Sequence, residues 1–269
     1  MDEQLVDDYL ARIGAERPAV ADAEALRGLQ RLHRYAVPFE NLSIHRGEDI
    51  DLVAERLVEK IVARGRGGFC YELNGAFAAL LTRLGYEVTL LEARVFDDGA
   101  PGLPYDHLTL RVKTADAATP WLVDVGFGRF TEEPLLFDSR EDQHDERGVF
   151  KIVELPDGDL DVHADGRPQY RLSTRPRSLP EFMATCWYHR TSPRSPFTRS
   201  LICSLPIPDG TVTLSGRRLK TTVAEEVTER ELPDAESVLA AYREHFGITL
   251  DEEPTVGVPP GVLRDRPAQ

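Results

Sequence analysis

The sequence has no long apolar segment and no recognisable export signal. No run approaches the about eighteen consecutive apolar residues that a membrane-spanning helix requires. Residues 1–8 are acidic and contain no positively charged segment followed by an apolar core, so we expect no secretory signal. These absences predict a cytoplasmic protein that does not have a membrane as a partner.

Cysteine and positive charge are both scarce. The three cysteines, Cys70, Cys186 and Cys203, are an odd and sparse set, which excludes a disulfide framework and suits a reducing compartment. The chain has 32 basic and 46 acidic residues, and the resulting net charge of −14 argues against nucleic acid or an anionic membrane as a partner. An anionic ligand would therefore need local positive charge or backbone N–H groups to bind.

One cysteine lies where a helix is expected to begin. Gly67, Gly68 and Phe69 interrupt the preceding pattern, and from Cys70 an alanine- and leucine-rich stretch continues to Gly85. The unpaired N–H groups and the positive end of the dipole at a helix start favour a thiolate. The alternative is a buried structural cysteine, which is the commoner role of a free cysteine.

A histidine and an aspartate on two predicted strands complete a possible catalytic set. His107 precedes apolar residues at 108, 110 and 112, and Asp124 interrupts the short apolar strand that begins at Trp121. We expect Asp124 to accept the Nδ1–H of His107, which leaves Nε2 to take the proton from Cys70. A structural strand histidine and a solvent-facing acid are the alternatives. Together the three residues have the types required of a nucleophile, a base and an orienting group.

The chain resembles the arylamine N-acetyltransferases. The resemblance extends over nearly the whole sequence and is most specific around Cys70, although Phe197 and Cys203 continue it more weakly towards the C-terminus. The matching segments are Arg66-Gly67-Gly68-Phe69-Cys70-Tyr71-Glu72-Leu73-Asn74, Leu32-His33, Val37-Pro38-Phe39-Glu40-Asn41-Leu42, Asp106-His107-Leu108 and Val123-Asp124-Val125-Gly126-Phe127-Gly128. Carried over by position, the family's catalytic triad falls on Cys70, His107 and Asp124.

The pattern and the resemblance together predict an α+β fold in three parts. Residues 1–85 are helical in pattern, and from Tyr86 the period changes to that of strands. The proline-rich stretch 193–208 is the expected domain junction. The resemblance implies a helical bundle (1–85), a β-barrel (86–192) and an α/β lid (193–269), with a cysteine-protease-like triad between the first two. The tail from Glu253 is expected to be extended or disordered.

The resemblance also implies a reaction and its ligands. Acetyl-CoA is the expected cosubstrate and an arylamine or arylhydrazine the expected acceptor, without a metal. The predicted substrate-binding residues are Phe39, Tyr71 and Phe127, whose aromatic rings are expected to exclude water. Gly126, Gly128 and Arg129 are the predicted coenzyme-binding residues, because glycines permit close backbone approach and Arg129 supplies charge.

Several alternatives remain at this point. A cysteine hydrolase or a transglutaminase-like enzyme uses the same residues in the same order. An amide synthase acting on a polyketide chain, rather than on a xenobiotic amine, fits the same scaffold, and a catalytically silent binding protein is the third class. Cys186 and His189 have the spacing of zinc ligands on a helix, but no second pair accompanies them. A monomer or a weak homo-oligomer is expected.

Overall fold

The computed structural model describes residues 1–128, 130–224 and 226–257. Most of the helices lie in the first third of the chain. They are α1 (Glu3–Ile13), α2 (Ala23–Ala36), α3 (Leu42–His45), α4 (Ala54–Val62), α5 (Cys70–Arg83), a 3₁₀ helix (Leu179–Phe182), α6 (Met183–Thr191), α7 (Pro196–Arg199) and α8 (Ala235–Phe246). No helix among these ranges is both long and apolar enough to cross a membrane.

Apart from a two-residue strand at Phe39–Glu40, the described strands follow α5, and together they form two antiparallel sheets. The first group is β1 (Phe39–Glu40), β2 (Glu87–Asp97), β3 (Ala100–Pro101), β4 (His107–Lys113), β5 (Trp121–Val123), β6 (Leu135–Leu136) and β7 (Gln143–Asp145). The second group is β8 (Gly148–Glu154), β9 (Leu160–Ala164), β10 (Arg167–Leu172), β11 (Cys203–Ile207), β12 (Gly210–Ser215), β13 (Arg218–Val223) and β14 (Glu226–Glu231).

Local side-chain chemistry sets the helix starts that matter for the site. Asp22 caps α2 by accepting the Ala25 N–H at 2.8 Å. Helix α5 begins at Cys70, as predicted, because Phe69 has an extended backbone and Glu72 reaches back to accept its N–H. The pattern missed α3, since four residues are too few to show a helical period.

The larger sheet closes almost completely into a barrel. Its strands run in the order β6-β5-β4-β2-β10-β9-β8-β7, with β3 paired to the end of β2. The side chain of Gln143 on β7 bonds the backbone N–H and C=O of Leu136 on β6 at 2.7 and 3.1 Å, and so links the two edges. Inward-facing apolar side chains, including Phe130, Phe150 and Tyr170, fill the interior.

The smaller sheet pairs a short strand from the N-terminal helical part with strands from the last third of the chain. Its order is β1-β11-β12-β13-β14, so the short strand beside Phe39 pairs with β11 far along the sequence. One face packs against α8 in a separate core. The predicted junction at 193–208 contains α7 and β11, and the three-domain division with boundaries after residues 85 and 192 stays a prediction. At the tail, Gly257 donates its N–H to His45 Nδ1, and the expectation for 258–269 lies outside the described residues.

The helices α1, α2, α4 and α5 share a core that encloses one histidine completely. His33 is 0% exposed and its Nε2 lies 3.0 Å from the hydroxyl of Tyr9. Burial lowers the pKa of His33 to about 3, and the positive charges of Arg12 and Arg34 act in the same direction. The folded protein therefore holds this imidazole neutral at a pH where the unfolded chain would protonate it.

We predict that this histidine makes the fold acid-sensitive. Between the ordinary pKa of 6.5 and the folded value of about 3, the unfolded state binds a proton that the folded state does not. The free energy of unfolding should therefore fall as pH falls, by up to about 1.4 kcal/mol per pH unit from this group. The free energy of unfolding, measured with urea at pH 7 and pH 4.5, should decrease less between these pH values in the His33→Gln variant than in the parent protein. His163→Gln is the control, because His163 is half-exposed, and equal decreases in the two variants would contradict the role of His33.

Candidate active site

Cys70 begins α5 at the floor of a cleft between the helices and the barrel. Its side chain is buried, and its Sγ lies 4.0 Å from the main-chain oxygen of Asp106 at the end of the loop that leads into β4. Gly126 packs directly against it, since a Cβ at this glycine would lie 2.8 Å from the Cα of Cys70. The glycine thus allows the loop after β5 to approach the helix start.

His107 and Asp124 form a buried pair beside the cysteine. The Nε2 of His107 lies 2.6 Å from Oδ2 of Asp124, and the two side chains are 2% and 0% exposed. The prediction that Nδ1 contacts the carboxylate is wrong. Nε2 is at the far end of the ring, and it is the nitrogen that reaches from the start of β4 to the residue after β5. Nδ1 is therefore the nitrogen left for a second partner.

Asp124 is satisfied at both carboxylate oxygens. Its Oδ1 accepts the Nδ2–H of Asn74 at 2.9 Å and the N–H of Gly126 at 3.0 Å. Asn74 lies one helical turn after Cys70 and also binds the backbone of Leu108 and Val125. Burial by itself would raise the pKa of Asp124, but His107, Asn74 and the Gly126 N–H together hold this pKa below its usual value. The carboxylate stays ionised.

Two buried polar residues of α2 hold the segment that carries Asp124. Gln30 accepts the N–H of Asp124 at 3.3 Å and donates to the carbonyls of Thr131 and Glu132. Arg34 donates to the carbonyl oxygens of Gly128 at 2.9 Å and Phe130 at 3.2 Å. Burial lowers the pKa of Arg34 to about 10, so the guanidinium remains charged at neutral pH. Helix α2 therefore holds the chain both at Asp124 and at the residues from Phe130 to Glu132.

The electrostatic setting of Cys70 differs from that expected at a helix start. Burial raises the pKa of its thiol well above the usual range, and the carboxylates of Asp106 and Asp124 add to this rise. Burial therefore opposes the effect of the helix start, and a reactive Cys70 stays a prediction that depends on a nearby base. His107, the predicted base, lines the same cleft.

The cleft encloses about 1120 Å³, and aromatic rings form part of its wall. Phe127 stands edge-on to His107 with ring centroids 5.1 Å apart, while Phe39 lies 6.0 Å from Phe197 across the cleft. Tyr71 does not line it. This side chain is 0% exposed and its hydroxyl donates to the carbonyls of Tyr105 and Asp106, and a substrate-binding role for Tyr71 stays a prediction.

The remaining predicted residues divide into three groups. Gly126 and Gly128 line the cleft, and a Cβ at Gly128 would meet open space. Arg129 lies outside the described residues. His189, which was considered as a zinc ligand together with Cys186, instead bonds Asp106. In the part of the chain that the structure describes, no cluster of three or more metal-ligating side chains is found.

Sequence reasoning missed several residues that the structure places at the site. Asn74 lies inside the cysteine motif, and Gln30 and Arg34 follow one another at helical spacing on the apolar face of α2. Polar residues on such a face were the available signal. Three positively charged residues at the outer cleft, Arg194, Arg199 and Lys220, had no local signal at all.

Comparison with known proteins identifies the family. A family model described as N-acetyltransferase matches residues 22–255. An arylamine N-acetyltransferase of Gallus gallus, the pineal gland isozyme NAT-3, is 34% identical over 92% of this chain and 95% of its own length. The arylamine N-acetyltransferase of Mycolicibacterium smegmatis is 32% identical over 91% of this chain and 92% of its own.

Solved structures agree with the sequence relatives. The structure of Mycobacterium marinum arylamine N-acetyltransferase in complex with CoA is similar with a TM-score of 0.82 and 32% identity, covering 90% of this chain and 92% of the other. The Salmonella typhimurium enzyme has a TM-score of 0.84 at 26% identity, covering 92% of both chains. The α+β fold with its barrel is thus the fold of a group of transferases. The chain belongs to the arylamine N-acetyltransferase family.

We predict that Asn74 controls the reactivity of Cys70 through Asp124. Asn74→Ala removes one of the donors to Asp124 Oδ1, so the carboxylate should orient His107 less well. Alkylation of Cys70 by iodoacetamide at pH 7, followed by peptide mass mapping, should slow about tenfold, equivalent to about 1.4 kcal/mol. Asn41→Ala is the matched control, because Asn41 is equally buried and bonds three backbone groups away from Asp124. Similar slowing in both variants would contradict the prediction.

Proposed function

We propose that this chain transfers an acetyl group from acetyl-CoA to the nitrogen of arylamines and arylhydrazines, or to the oxygen of N-hydroxyarylamines. The observation that carries the proposal is the buried Asp124–His107 pair, which opens with Cys70 into one cleft. In this proposal Cys70 is the nucleophile, His107 the base and Asp124 the group that orients it. Membership of the arylamine N-acetyltransferase family supports the substrate classes.

The first half-reaction loads the enzyme. His107 accepts the thiol proton at Nδ1 while Asp124 stabilises the resulting imidazolium through Nε2. The Cys70 thiolate attacks the thioester carbonyl, the carbon–sulfur bond to coenzyme A breaks, and the departing thiolate takes the proton back from His107. Backbone N–H groups near the start of α5 are suited to bind the transient oxyanion. One thioester replaces another, so the step is nearly thermoneutral.

The second half-reaction delivers the acetyl group to the acceptor. The amine nitrogen attacks the Cys70 thioester, His107 removes a proton from it, and the Cys70 sulfur leaves and is reprotonated. Phe39, Phe127 and Phe197 give the cleft aromatic faces against which an aryl ring can pack edge-on or offset. The same apolar wall limits water at the acyl-enzyme, which would otherwise be hydrolysed.

The outer cleft supplies the local positive charge that an anionic donor needs. Arg194 and Arg199 are exposed and Lys220 is half-buried, and within the described residues none of the three takes part in an ion pair. We assign the coenzyme phosphates to these side chains, with Gly126 and Gly128 allowing close approach to the backbone. At the cleft, these positive charges offset the negative electrostatic field that a net charge of −14 produces around the protein.

The same net charge supports the remaining proposals. We propose a cytoplasmic enzyme, active as a monomer or weak homo-oligomer, that binds neither nucleic acid nor an anionic membrane. A cysteine hydrolase is the alternative activity, because water can replace the amine in the second half-reaction. An amide synthase differs only in the acyl donor and acceptor, and its cleft would have to hold a longer chain.

The decisive experiment is the intact mass of the protein after brief incubation with acetyl-CoA, with and without an aminobenzoate. We expect one added acetyl group on Cys70 that the amine discharges far faster than water does. Discharge at the same rate without the amine would indicate a hydrolase. If no adduct forms with acetyl-CoA but one forms with longer acyl donors, the amide synthase takes its place.

The nucleophile is tested by substitution of each cysteine. Cys70→Ala should remain folded and lose all transfer, since the acyl acceptor of the first step is gone. Cys186→Ala and Cys203→Ala are matched controls, because both residues are buried free cysteines outside the cleft lining. These controls should keep the acetyl adduct even if they lose some stability. Turnover in the Cys70→Ala variant would refute the mechanism.

The orienting role of Asp124 predicts a large loss on a minimal change. Asp124→Asn keeps the side-chain size but removes the charge that stabilises imidazolium and offers an N–H where His107 Nε2 needs an acceptor. The rate of Cys70 acetylation at pH 7 should fall at least a thousandfold, as measured by release of coenzyme A in a single turnover. Near-normal rates in a folded variant would show that Asp124 does not orient the base.

The coenzyme assignment predicts a charge-specific effect on binding. Lys220→Ala and Arg199→Ala should each raise KM for acetyl-CoA several-fold, leave kcat nearly unchanged, and weaken the salt dependence of kcat/KM. Arg175→Ala is the control, because this exposed arginine lies outside the cleft. An unchanged KM in both cleft variants would place the phosphates elsewhere.

A further inference from the structure

A second buried histidine–aspartate pair opens into the same cleft, and the proposed mechanism does not use it. The Nε2 of His189 on α6 lies 2.9 Å from Oδ1 of Asp106, and the side chains are 6% and 16% exposed. Asp106 directly precedes His107 in the chain, and its main-chain oxygen lies 4.0 Å from the Sγ of Cys70. The pair is thus in contact with the segment that presents both the base and the nucleophile.

The turn that carries Asp106 is held in a conformation it would not adopt alone. Tyr105 has φ of 60°, a left-handed value that is unfavourable for a bulky residue. The Tyr71 hydroxyl holds the carbonyls of Tyr105 and Asp106, and Asp106 Oδ2 accepts the N–H of Val95 at 3.3 Å. His189 supplies the remaining fixed contact of the carboxylate. Losing it would release one side of a strained turn immediately before His107.

The surroundings of His189 leave Asp106 as its charged partner. Its Nδ1 lies 3.3 Å from Oγ of Ser195, which is fully buried and accepts the N–H of Phe197. Its ring packs against the rings of Phe197 at 5.2 Å and Tyr71 at 6.3 Å, and that of Tyr188 adjoins it at 5.5 Å. These other neighbours are neutral at pH 7. The imidazole ring is therefore positioned to donate a hydrogen bond to the carboxylate.

Two carboxylates lie near Cys70, and each is paired with a histidine. Asp124 is paired with His107, and Asp106 with His189. The negative charges of both carboxylates raise the pKa of the Cys70 thiol and so oppose formation of a thiolate in this poorly solvated site. We propose that His189 is a positioning residue for acyl transfer: by bonding Asp106 it fixes the turn before His107 and offsets the negative charge that opposes the Cys70 thiolate. This inference rests on the proposed function of the site.

A charge-rescue experiment separates this role from simple packing. His189→Leu keeps a side chain in the same space but leaves Asp106 without its partner. Alkylation of Cys70 by iodoacetamide should slow about tenfold at pH 7, and its pH–rate curve should move about one unit higher. Asp106→Asn added to His189→Leu should restore at least half of the lost rate, because the opposing charge is gone. The rate of Cys70 acetylation by acetyl-CoA should follow the same order.

Controls make each outcome decisive. His45→Leu is matched, since within the described ranges His45 bonds only the neutral Asn41 side chain and the backbone at Ser200 and Gly257, and it should leave the pH–rate curve unchanged. If His189→Leu does not fold, His189→Gln gives the same comparison with a neutral donor. An unshifted curve, or a double variant as slow as the single one, would overturn the inference. Alkylation needs no acyl donor, so failure of the transferase proposal would appear separately as an unacetylated parent protein.

Discussion

The site depends on one buried negative charge. Asp124 is 0% exposed, and an ion removed from water costs several kcal/mol unless its oxygens are paired. The donors that pair it come from three different elements: His107 begins β4, Asn74 belongs to α5, and Gly126 follows β5. Satisfying this carboxylate therefore joins the helical part to the barrel. Cys70 lines the same cleft as His107 because it begins the helix that carries Asn74.

Burial of Cys70 has two consequences for the site. It raises the pKa of the Cys70 thiol, which favours the protonated form, and this is why the proposed mechanism gives Cys70 an internal base. Burial of the same sulfur also keeps water away from the acyl-enzyme of the proposed mechanism. A more exposed cysteine would leave that intermediate open to hydrolysis. The outer cleft has the contrary character, with Arg199 and Lys220 accessible to a charged ligand. The cleft is thus poor in water around Cys70, whereas its outer part is solvated and positively charged although the net charge of the protein is negative.

The accuracy of the sequence predictions followed the range of the interactions involved. The start of α5 was predicted correctly, because periodicity and the signals of a helix start are encoded within a few neighbouring residues. The pairing of β1 with β11 was missed, since its partners are about 160 residues apart and β1 has only two residues. The burial of Tyr71 away from the cleft lining was not foreseen, because a motif gives residue types and does not show which side chains face the cleft.

The sequence by itself determined the family, the residue types of the site and the elements that carry them. These are local properties: a helix start at Cys70, a strand start at His107 and a strand end at Asp124. Only the tertiary structure decided that Nε2 of His107 meets Asp124, that burial raises the pKa of the Cys70 thiol, and that His189 reaches Asp106. Those outcomes depend on distances and solvent exclusion between segments far apart in the chain, which no local pattern records.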